Sequence, residues 1–115
     1  MPPSSPAAAD PSSGVLIEPR PELERTPPRS WRVLLHNDDY TTQEFVVWVL
    51  ETVFAKTATE AMTIMLHVHH AGVGVAGIYT KEIAETKVAA TERLAEQHEY
   101  PLRVSMEPEP EEGKP

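Results

Sequence analysis

Two separate segments of the chain carry side chains that could bind a cation. Asn37, Asp38 and Asp39 directly follow an apolar run, and His69 lies in a Met-rich segment further downstream. A carboxylate supplies negative charge, an amide oxygen supplies a neutral acceptor, and one nitrogen of a neutral imidazole supplies a third acceptor. Acceptors that converge in this way suit the donors and the charge of an α-ammonium group, which an internal peptide nitrogen cannot match.

Apolar residues accompany both polar segments, and they predict a hydrophobic slot beside the ammonium site. Such a pocket suits a ligand with a cationic end next to a bulky apolar group, and the free N-terminus of a protein that begins with Leu, Phe, Tyr or Trp is one such ligand. Charge-assisted hydrogen bonds contribute roughly 1.5–3 kcal/mol each, and burial of a Leu or Phe side chain adds about the same. The gross sum of about 6–12 kcal/mol makes a micromolar binder plausible, since a Kd of about 1 μM needs ~8 kcal/mol.

Simpler interpretations of the same residues stay open at this point. Asn-Asp-Asp after a strand is commonly only a turn, because these side chains bond to their own backbone. A histidine on an apolar helix stripe is commonly a core residue. His67, His69 and His70 suggest a metal site, but they lack the His-Glu-x-x-His spacing and a nearby third ligand. We therefore predict no metal ion and no other cofactor.

Catalytic motifs are not found in the sequence. There is no Gly-x-Ser-x-Gly, no phosphate-binding loop and no cysteine nucleophile. The adjacent Asp38 and Asp39 need not face each other, so a paired-carboxylate hydrolase is a poor alternative. We expect a binding domain and no enzymatic activity, with a metal-dependent hydrolase as the enzyme alternative.

Charge and composition exclude several classes of partner. The net charge is −8 and no basic patch occurs, so a nucleic-acid interface lacks its electrostatic requirement. The longest apolar run, residues 45–50, is far shorter than the ~20 residues of a membrane-spanning helix. The chain has no cysteine and no visible secretory signal, which fits a reducing compartment. The sequence therefore predicts a cytoplasmic protein without nucleic-acid or membrane contacts.

The sequence divides into three regions. Eight of the 12 prolines fall within residues 1–28, which we predict to be a disordered Pro-rich N-terminal extension because they cannot bury enough apolar surface. Residues 29–107 are predicted to form one folded domain. Residues 108–115 are predicted to be an acidic, flexible tail.

Hydrophobic patterns predict six elements in the folded region. Strands are expected at 31–36, 73–79 and 102–106. A capping box, Thr41-x-x-Glu44, opens the first helix, and Thr57-x-x-Glu60 opens the second. Gly72 ends the second helix, and the third begins after Thr80 and ends before Tyr100-Pro101.

The apolar faces of the second and third helices indicate how they pack. The second helix has a predicted inward stripe of Met62, Met65, Leu66 and His69, and the third one of Ile83, Ala84, Val88, Leu94 and Ala95. An α+β fold would bury both stripes: a three-stranded, mostly antiparallel sheet with helices packed on one face, in the order β-α-α-β-α-β.

Four motifs in this order resemble the ClpS adaptor family. They are Val33-Leu34-Leu35-His36-Asn37-Asp38-Asp39-Tyr40-Thr41 followed by Glu44-Phe45-Val46, then Met65-Leu66 with Val68-His69, then Thr80-x-Glu82-Ile83-Ala84-Glu85-Thr86-Lys87-Val88-Ala89, and finally Pro101-Leu102. The resemblance covers nearly all of residues 31–106. It implies a cytoplasmic bacterial adaptor that binds destabilising N-terminal residues, and we expect a monomer in solution. Such an adaptor delivers substrates to a Clp AAA+ unfoldase, of the ClpA or ClpC type, that works with ClpP.

The resemblance also implies roles for individual residues. By this likeness, the residues that hold the substrate α-amino group are Asn37, Asp38 and His69. The side-chain pocket is implied to consist of Thr41, Gln43, Val46, Met65, Val68 and Leu102. The surface that faces the unfoldase is implied to include Tyr40, Glu82 and Lys87.

This sequence departs from the family pattern at Gln43, where the family commonly carries a methionine. That methionine is thought to act as a gate against β-branched residues, whereas the polar end of Gln cannot pack dry without partners. The alternative function is a regulatory scaffold domain that docks on the unfoldase without reading N-termini. A more distant resemblance, to the C-terminal domain of the ribosomal stalk protein, suggests docking to translation factors.

Overall fold

The computed structural model describes residues 28–110, and it confirms the predicted α+β fold and order of elements. The elements are β1 (Trp31–His36), α1 (Gln43–Thr52), α2 (Ala58–Ala71), β2 (Val73–Tyr79), α3 (Lys81–Gln97) and β3 (Arg103–Pro108). The predicted N-terminal extension lies outside the described residues except for Pro28, and so do residues 111–115 of the predicted tail. The third strand begins one residue later than predicted and continues to Pro108.

The sheet has the order β2-β1-β3, and both pairings are antiparallel. Side chains alternate between the faces of β1, so Val33 and Leu35 are fully buried while Leu34 is only half-buried. The three helices cover the face that carries the buried residues, which include Ala76 of β2 and Val104 of β3. Because β1 is central, the loop that follows it emerges from the middle of the sheet.

The N-termini of the helices differ in one place from the prediction. Thr42, not Thr41, caps α1, because its hydroxyl accepts a hydrogen bond from the Phe45 amide at 3.1 Å. The predicted Thr41–Glu44 capping box is therefore wrong, and Thr41 is bonded to the preceding loop. The second capping box is confirmed, since Thr57 and Glu60 exchange side-chain to backbone hydrogen bonds of 3.1 and 3.0 Å.

The inward stripe of α2 includes Met65 as predicted, but its other members lie one residue nearer the N-terminus than Met62 and His69. Ala61, Met65 and Val68 are buried, whereas Met62 and Leu66 are 47% and 42% exposed. Both sets follow the same helical spacing, so periodicity alone did not separate them. The small Ala61 allows α2 to approach the core, and the bulkier residues are left on the neighbouring stripe with His69. In α3, Ile83 is likewise 48% exposed, contrary to prediction.

Thr91 is the buried polar residue of the described core, and its hydroxyl has no hydrogen-bond partner among residues 28–110. An unpaired buried hydroxyl costs free energy that an apolar group of the same shape does not. We therefore expect Thr91→Val to raise the free energy of unfolding by about 1 kcal/mol. Urea denaturation of the two proteins measures this difference. A loss of stability in the variant would contradict the assignment of an unpaired hydroxyl.

Residues 28–110 contain neither a membrane-spanning helix nor a cluster of metal ligands. None of the helices in this part of the chain is both long and apolar enough to cross a membrane. Within the same range, no group of three or more His, Cys, Asp or Glu side chains is arranged to hold a metal ion.

Candidate functional site

The loop after β1 is tied to the C-terminal end of α2. Gly72 adopts a left-handed conformation with φ of 92°, and its amide donates to the Val68 carbonyl at 2.8 Å to close the helix. The Gly72 carbonyl then accepts a hydrogen bond from the Asn37 amide at 2.9 Å. This arrangement brings the polar loop beside the last turn of α2, where His69 lies.

A close approach between β2 and α2 fixes this geometry. A Cβ atom at Gly74 would lie 2.7 Å from Val68 Cγ2, which is closer than real Cβ atoms come to a neighbour. The absence of a side chain at Gly74 therefore lets α2 lie directly against the strand. Val68 is held in the core by this contact, and the adjacent His69 is directed to the outer side of the helix.

Asp38 organises the loop through its own side chain. Its Oδ1 accepts hydrogen bonds from the amides of Tyr40 and Thr41 at 2.8 and 2.7 Å, and its Oδ2 accepts one from Thr41 Oγ1 at 2.7 Å. Partial burial raises the pKa of Asp38, but the bonds from Thr41 and Tyr40 outweigh it, so the pKa is lowered overall. The residue is thus a turn former and an ionised carboxylate. A carboxylate has about four acceptor positions, so Oδ2 can still accept one more donor.

A cavity of about 210 Å³, which we call the ammonium pocket, lies between this loop, α1 and α2. Its lining consists of Asn37, Asp38, Asp39, Thr41, Gln43, Val46, Met65, Val68 and His69. The polar residues come from the loop, from Gln43 at the start of α1 and from the end of α2, and the apolar ones from α1 and α2. The cavity is small, as a site for a single side chain should be.

Eight of the nine sequence-predicted contact residues line the ammonium pocket. The remaining one, Leu102, is 7% exposed and packs in the core, outside the cavity lining. Asp39 also lines the cavity, although the family resemblance assigned the ammonium contacts to Asn37, Asp38 and His69 alone. It places a second carboxylate near Asp38, which strengthens the preference for a cation.

The end of α2 adds to the negative potential at the pocket. The C-terminus of a helix carries a partial negative charge from its unpaired carbonyl groups. His69 belongs to the last turn of α2 and lines the same cavity as Asp38 and Asp39, so this partial charge adds to that of the two carboxylates. Both contributions favour a bound ammonium group and disfavour a bound carboxylate.

A second cavity, of about 300 Å³, lies beside the first, and we call it the α1–α2 groove. Its lining consists of Gln43, Glu44, Val47, Trp48, Glu51, Met62 and Met65. Gln43 and Met65 contribute to both cavities and thus separate them. This groove was not predicted from the sequence, because the apolar spacing of α2 placed Met62 in the core. The signal available in the sequence was Trp48, a large apolar residue within the predicted first helix, which is partly exposed in the structure.

The three residues predicted to face the unfoldase differ in accessibility. Tyr40 is 78% exposed next to the pocket, and Glu82 is exposed in the first turn of α3. Lys87 is half-buried, and its Nζ donates to the Val53 carbonyl at 2.7 Å. It also lies 5.5 Å from the centre of the Tyr79 ring. Lys87 thus links α3 to the end of α1.

Comparisons with known proteins agree with this geometry. The family described as "ATP-dependent Clp protease adaptor protein ClpS" matches residues 26–105. ClpS adapter proteins from Myxococcus xanthus and Desulfatibacillum aliphaticivorans are 54% and 58% identical over 97 and 95 residues. These alignments cover 84% and 83% of this chain and 91% and 89% of the relatives.

A solved structure of a related protein is similar as well. It is Agrobacterium tumefaciens ClpS2 bound to L-phenylalaninamide, which is 36% identical with a TM-score of 0.70. The match covers 72% of this chain and all of that one. The range matched by the family, residues 26–105, includes every residue that lines the ammonium pocket. The chain therefore belongs to the ClpS family of adaptor proteins of the ATP-dependent Clp protease.

Proposed function

We propose that this adaptor binds the free N-termini of proteins that begin with Leu, Phe, Tyr or Trp, and delivers them to a Clp AAA+ unfoldase. The observation that carries the proposal is the ammonium pocket, where Asn37, Asp38 and His69 line one cavity with Val46 and Met65. The polar side can accept the three donors of an α-ammonium group. The apolar side can bury the first side chain.

The ligand of the related structure supports this proposal. L-Phenylalaninamide has a free α-amino group and a benzyl side chain, and its carboxyl group is blocked as an amide. It therefore has the same groups as the first residue of a polypeptide, and it is bound by a protein with the same fold. In this chain, Asn37, Asp38 and His69 are assigned to the ammonium group, and Thr41, Gln43, Val46, Met65 and Val68 to the side chain.

The delivery step needs a surface that stays accessible while the pocket is occupied. Tyr40 and Glu82 are exposed and are assigned to the contact with the unfoldase, of the ClpA or ClpC type, together with Lys87. ClpP completes the protease, and the adaptor acts as a cytoplasmic monomer without catalytic activity of its own.

A degradation assay tests delivery and separates it from the scaffold alternative. Two reporter proteins that differ only in beginning with Phe or Met are mixed with the cognate unfoldase, ClpP and this adaptor. We expect the adaptor to accelerate degradation of the Phe reporter alone. Equal effects on both reporters would contradict the proposed function and favour the scaffold alternative.

Gln43 is expected to relax discrimination at the first residue. Its side chain is exposed at the boundary of the two cavities, where a polar amide cannot form a dry barrier. We expect Gln43→Met to increase the preference for Leu-initiated over Ile-initiated peptides by about fivefold or more. Paired fluorescence-anisotropy titrations of the two peptides measure this preference, with Gln43→Leu as the matched apolar control. An unchanged preference in Gln43→Met would exclude a gating role for this position.

A further inference from the structure

We propose that the α1–α2 groove binds an Arg or Lys side chain at the third position of the substrate polypeptide. The groove then selects substrates by a second side chain, in addition to the one in the ammonium pocket. This inference rests on the proposed function, because it requires the first residue to occupy the ammonium pocket.

Continuity between the two cavities brings the substrate to the groove. Gln43 and Met65 line both, so only one layer of side chains separates them. In an extended chain, alternate side chains point to the same side, and two residues span roughly 7 Å. The first side chain points into the protein, the second points away, and the third points back. An extended substrate that leaves the ammonium pocket across Gln43 therefore directs its third side chain into the groove.

The charge of the groove determines the kind of side chain that fits. Glu44 and Glu51 line it, while no Lys, Arg or His residue contributes to its lining. These two residues are seven positions apart on α1, so they lie on the same face of the helix about two turns apart. A cationic side chain between them is attracted by both carboxylates. An acidic side chain is repelled.

The floor of the groove suits a long side chain with an aliphatic stem. Trp48 and Met62 are 39% and 47% exposed, and Val47 and Met65 complete the apolar surface. The Trp48 ring is held by Phe45 and His98, at centroid distances of 5.7 and 5.2 Å. A guanidinium or ammonium group within about 6 Å of an indole face is attracted to it, and the methylene groups of Arg or Lys can cover apolar surface.

The test compares tripeptide sequences at the start of otherwise identical labelled peptides. Phe-Ala-Arg and Phe-Ala-Glu differ at the third position, and Phe-Arg-Ala and Phe-Glu-Ala differ at the second. We expect Arg to bind about fivefold more tightly than Glu at the third position, with a smaller ratio at the second. Glu44→Gln combined with Glu51→Gln should lower the third-position ratio to about twofold or less, and leave the affinity for Phe-Ala-Ala unchanged.

A matched control distinguishes the effect of the groove on binding from the effect of the overall negative charge of the chain. Glu85 and Glu92 are exposed on α3 and line neither cavity. Their joint replacement by Gln changes the net charge by the same amount, and the Arg to Glu ratio should be retained. A second variant, Trp48→Leu, keeps both carboxylates and should reduce the affinity for Phe-Ala-Arg more than that for Phe-Ala-Ala.

Several results would overturn the groove assignment. The assignment fails if the Arg and Glu peptides bind with equal affinity, or if the Arg to Glu ratio is larger at the second position than at the third. It also fails if the Glu85/Glu92 control lowers the third-position ratio as much as the Glu44/Glu51 variant does. Failure of the proposed function gives a different pattern, in which Phe-Ala-Ala and its N-acetylated form bind equally. If binding of Phe-Ala-Ala requires its free amino group, but Phe-Ala-Arg and Phe-Ala-Glu bind with equal affinity, only the groove assignment fails.

Discussion

Replacement of Asp38 by Asn is expected to weaken the binding of a Phe-initiated peptide by about tenfold to 150-fold, because a charge-assisted hydrogen bond contributes roughly 1.5–3 kcal/mol. The Asp38 carboxylate faces the cavity with one acceptor position left after its three hydrogen bonds within the loop. Asn is chosen because its Oδ1 can still accept from the amides of Tyr40 and Thr41. The substitution thus removes the charge and keeps the turn. Isothermal titration calorimetry at neutral pH measures the effect.

The control for this experiment is Glu60→Gln, which neutralises a carboxylate at the opposite end of α2. Glu60 caps that helix and lies outside the cavity lining, so peptide affinity should stay unchanged. Circular dichroism confirms that the Asp38 variant is folded before its affinity is interpreted. Normal affinity in a folded Asp38→Asn protein would exclude the carboxylate as the partner of the ammonium group.

The lowered pKa of Asp38 determines how this contribution depends on pH. A carboxyl group whose pKa is lower in the folded than in the unfolded state stabilises the fold at pH values above its ordinary pKa. This stabilisation is lost as the pH falls through the pKa of the folded state. Asp38 therefore stays ionised from neutral pH down to about pH 5, since its ordinary value of 3.8 is already lower. Any change in affinity within that range has its origin in another group.

Exchange of the first peptide residue from Phe to Ala is expected to weaken binding by about tenfold to 150-fold. The apolar part of the ammonium pocket, formed by Val46, Met65 and Val68, buries the benzyl group, and burial of such a side chain contributes roughly 1.5–3 kcal/mol. The α-ammonium group is identical in both peptides, so the difference isolates the side-chain half of the site. Competition against a fluorescent Phe-initiated peptide measures it.

A peptide with Phe at the second position, behind Ala, is the matched control. It contains the same residues, so non-specific hydrophobic binding would be the same for both orders. We expect this peptide to bind as weakly as other Ala-initiated peptides. Equal affinity for the two orders would contradict a pocket that reads the first side chain next to the ammonium group.

The fold was largely predictable because the signals that begin and end its helices and strands are local in sequence. The Thr57 capping box, the Gly72 C-cap and the six-element order are each set by residues close in sequence, and all are found in the structure. The prediction of the first capping box was wrong because Thr41 and Thr42 are adjacent, and the sequence favoured Thr41 as the cap. Asp38 bonds Thr41 within the loop, which leaves Thr42 to cap α1. That choice depends on loop geometry, which the spacing of residues does not reveal.

The candidate site was predictable only in part. Asn37, Asp38 and His69 share a cavity as predicted, since the loop after β1 meets the end of α2. The orientation of α2 was not predictable from its pattern, because the predicted stripe through Met62 and Leu66 is as apolar as the observed one through Ala61 and Val68. Gly74 and Ala61 decide between them by permitting close packing on one side only. The α1–α2 groove follows from this orientation and was missed with it.

A paired titration with free and N-acetylated Phe-initiated peptides tests the central claim most directly. Acetylation removes the positive charge and two of the three donors, and it leaves the side chain and the rest of the peptide intact. The account predicts that the free peptide binds with micromolar affinity and that its acetylated twin binds at least about tenfold more weakly. Equal affinity of the two peptides would contradict it.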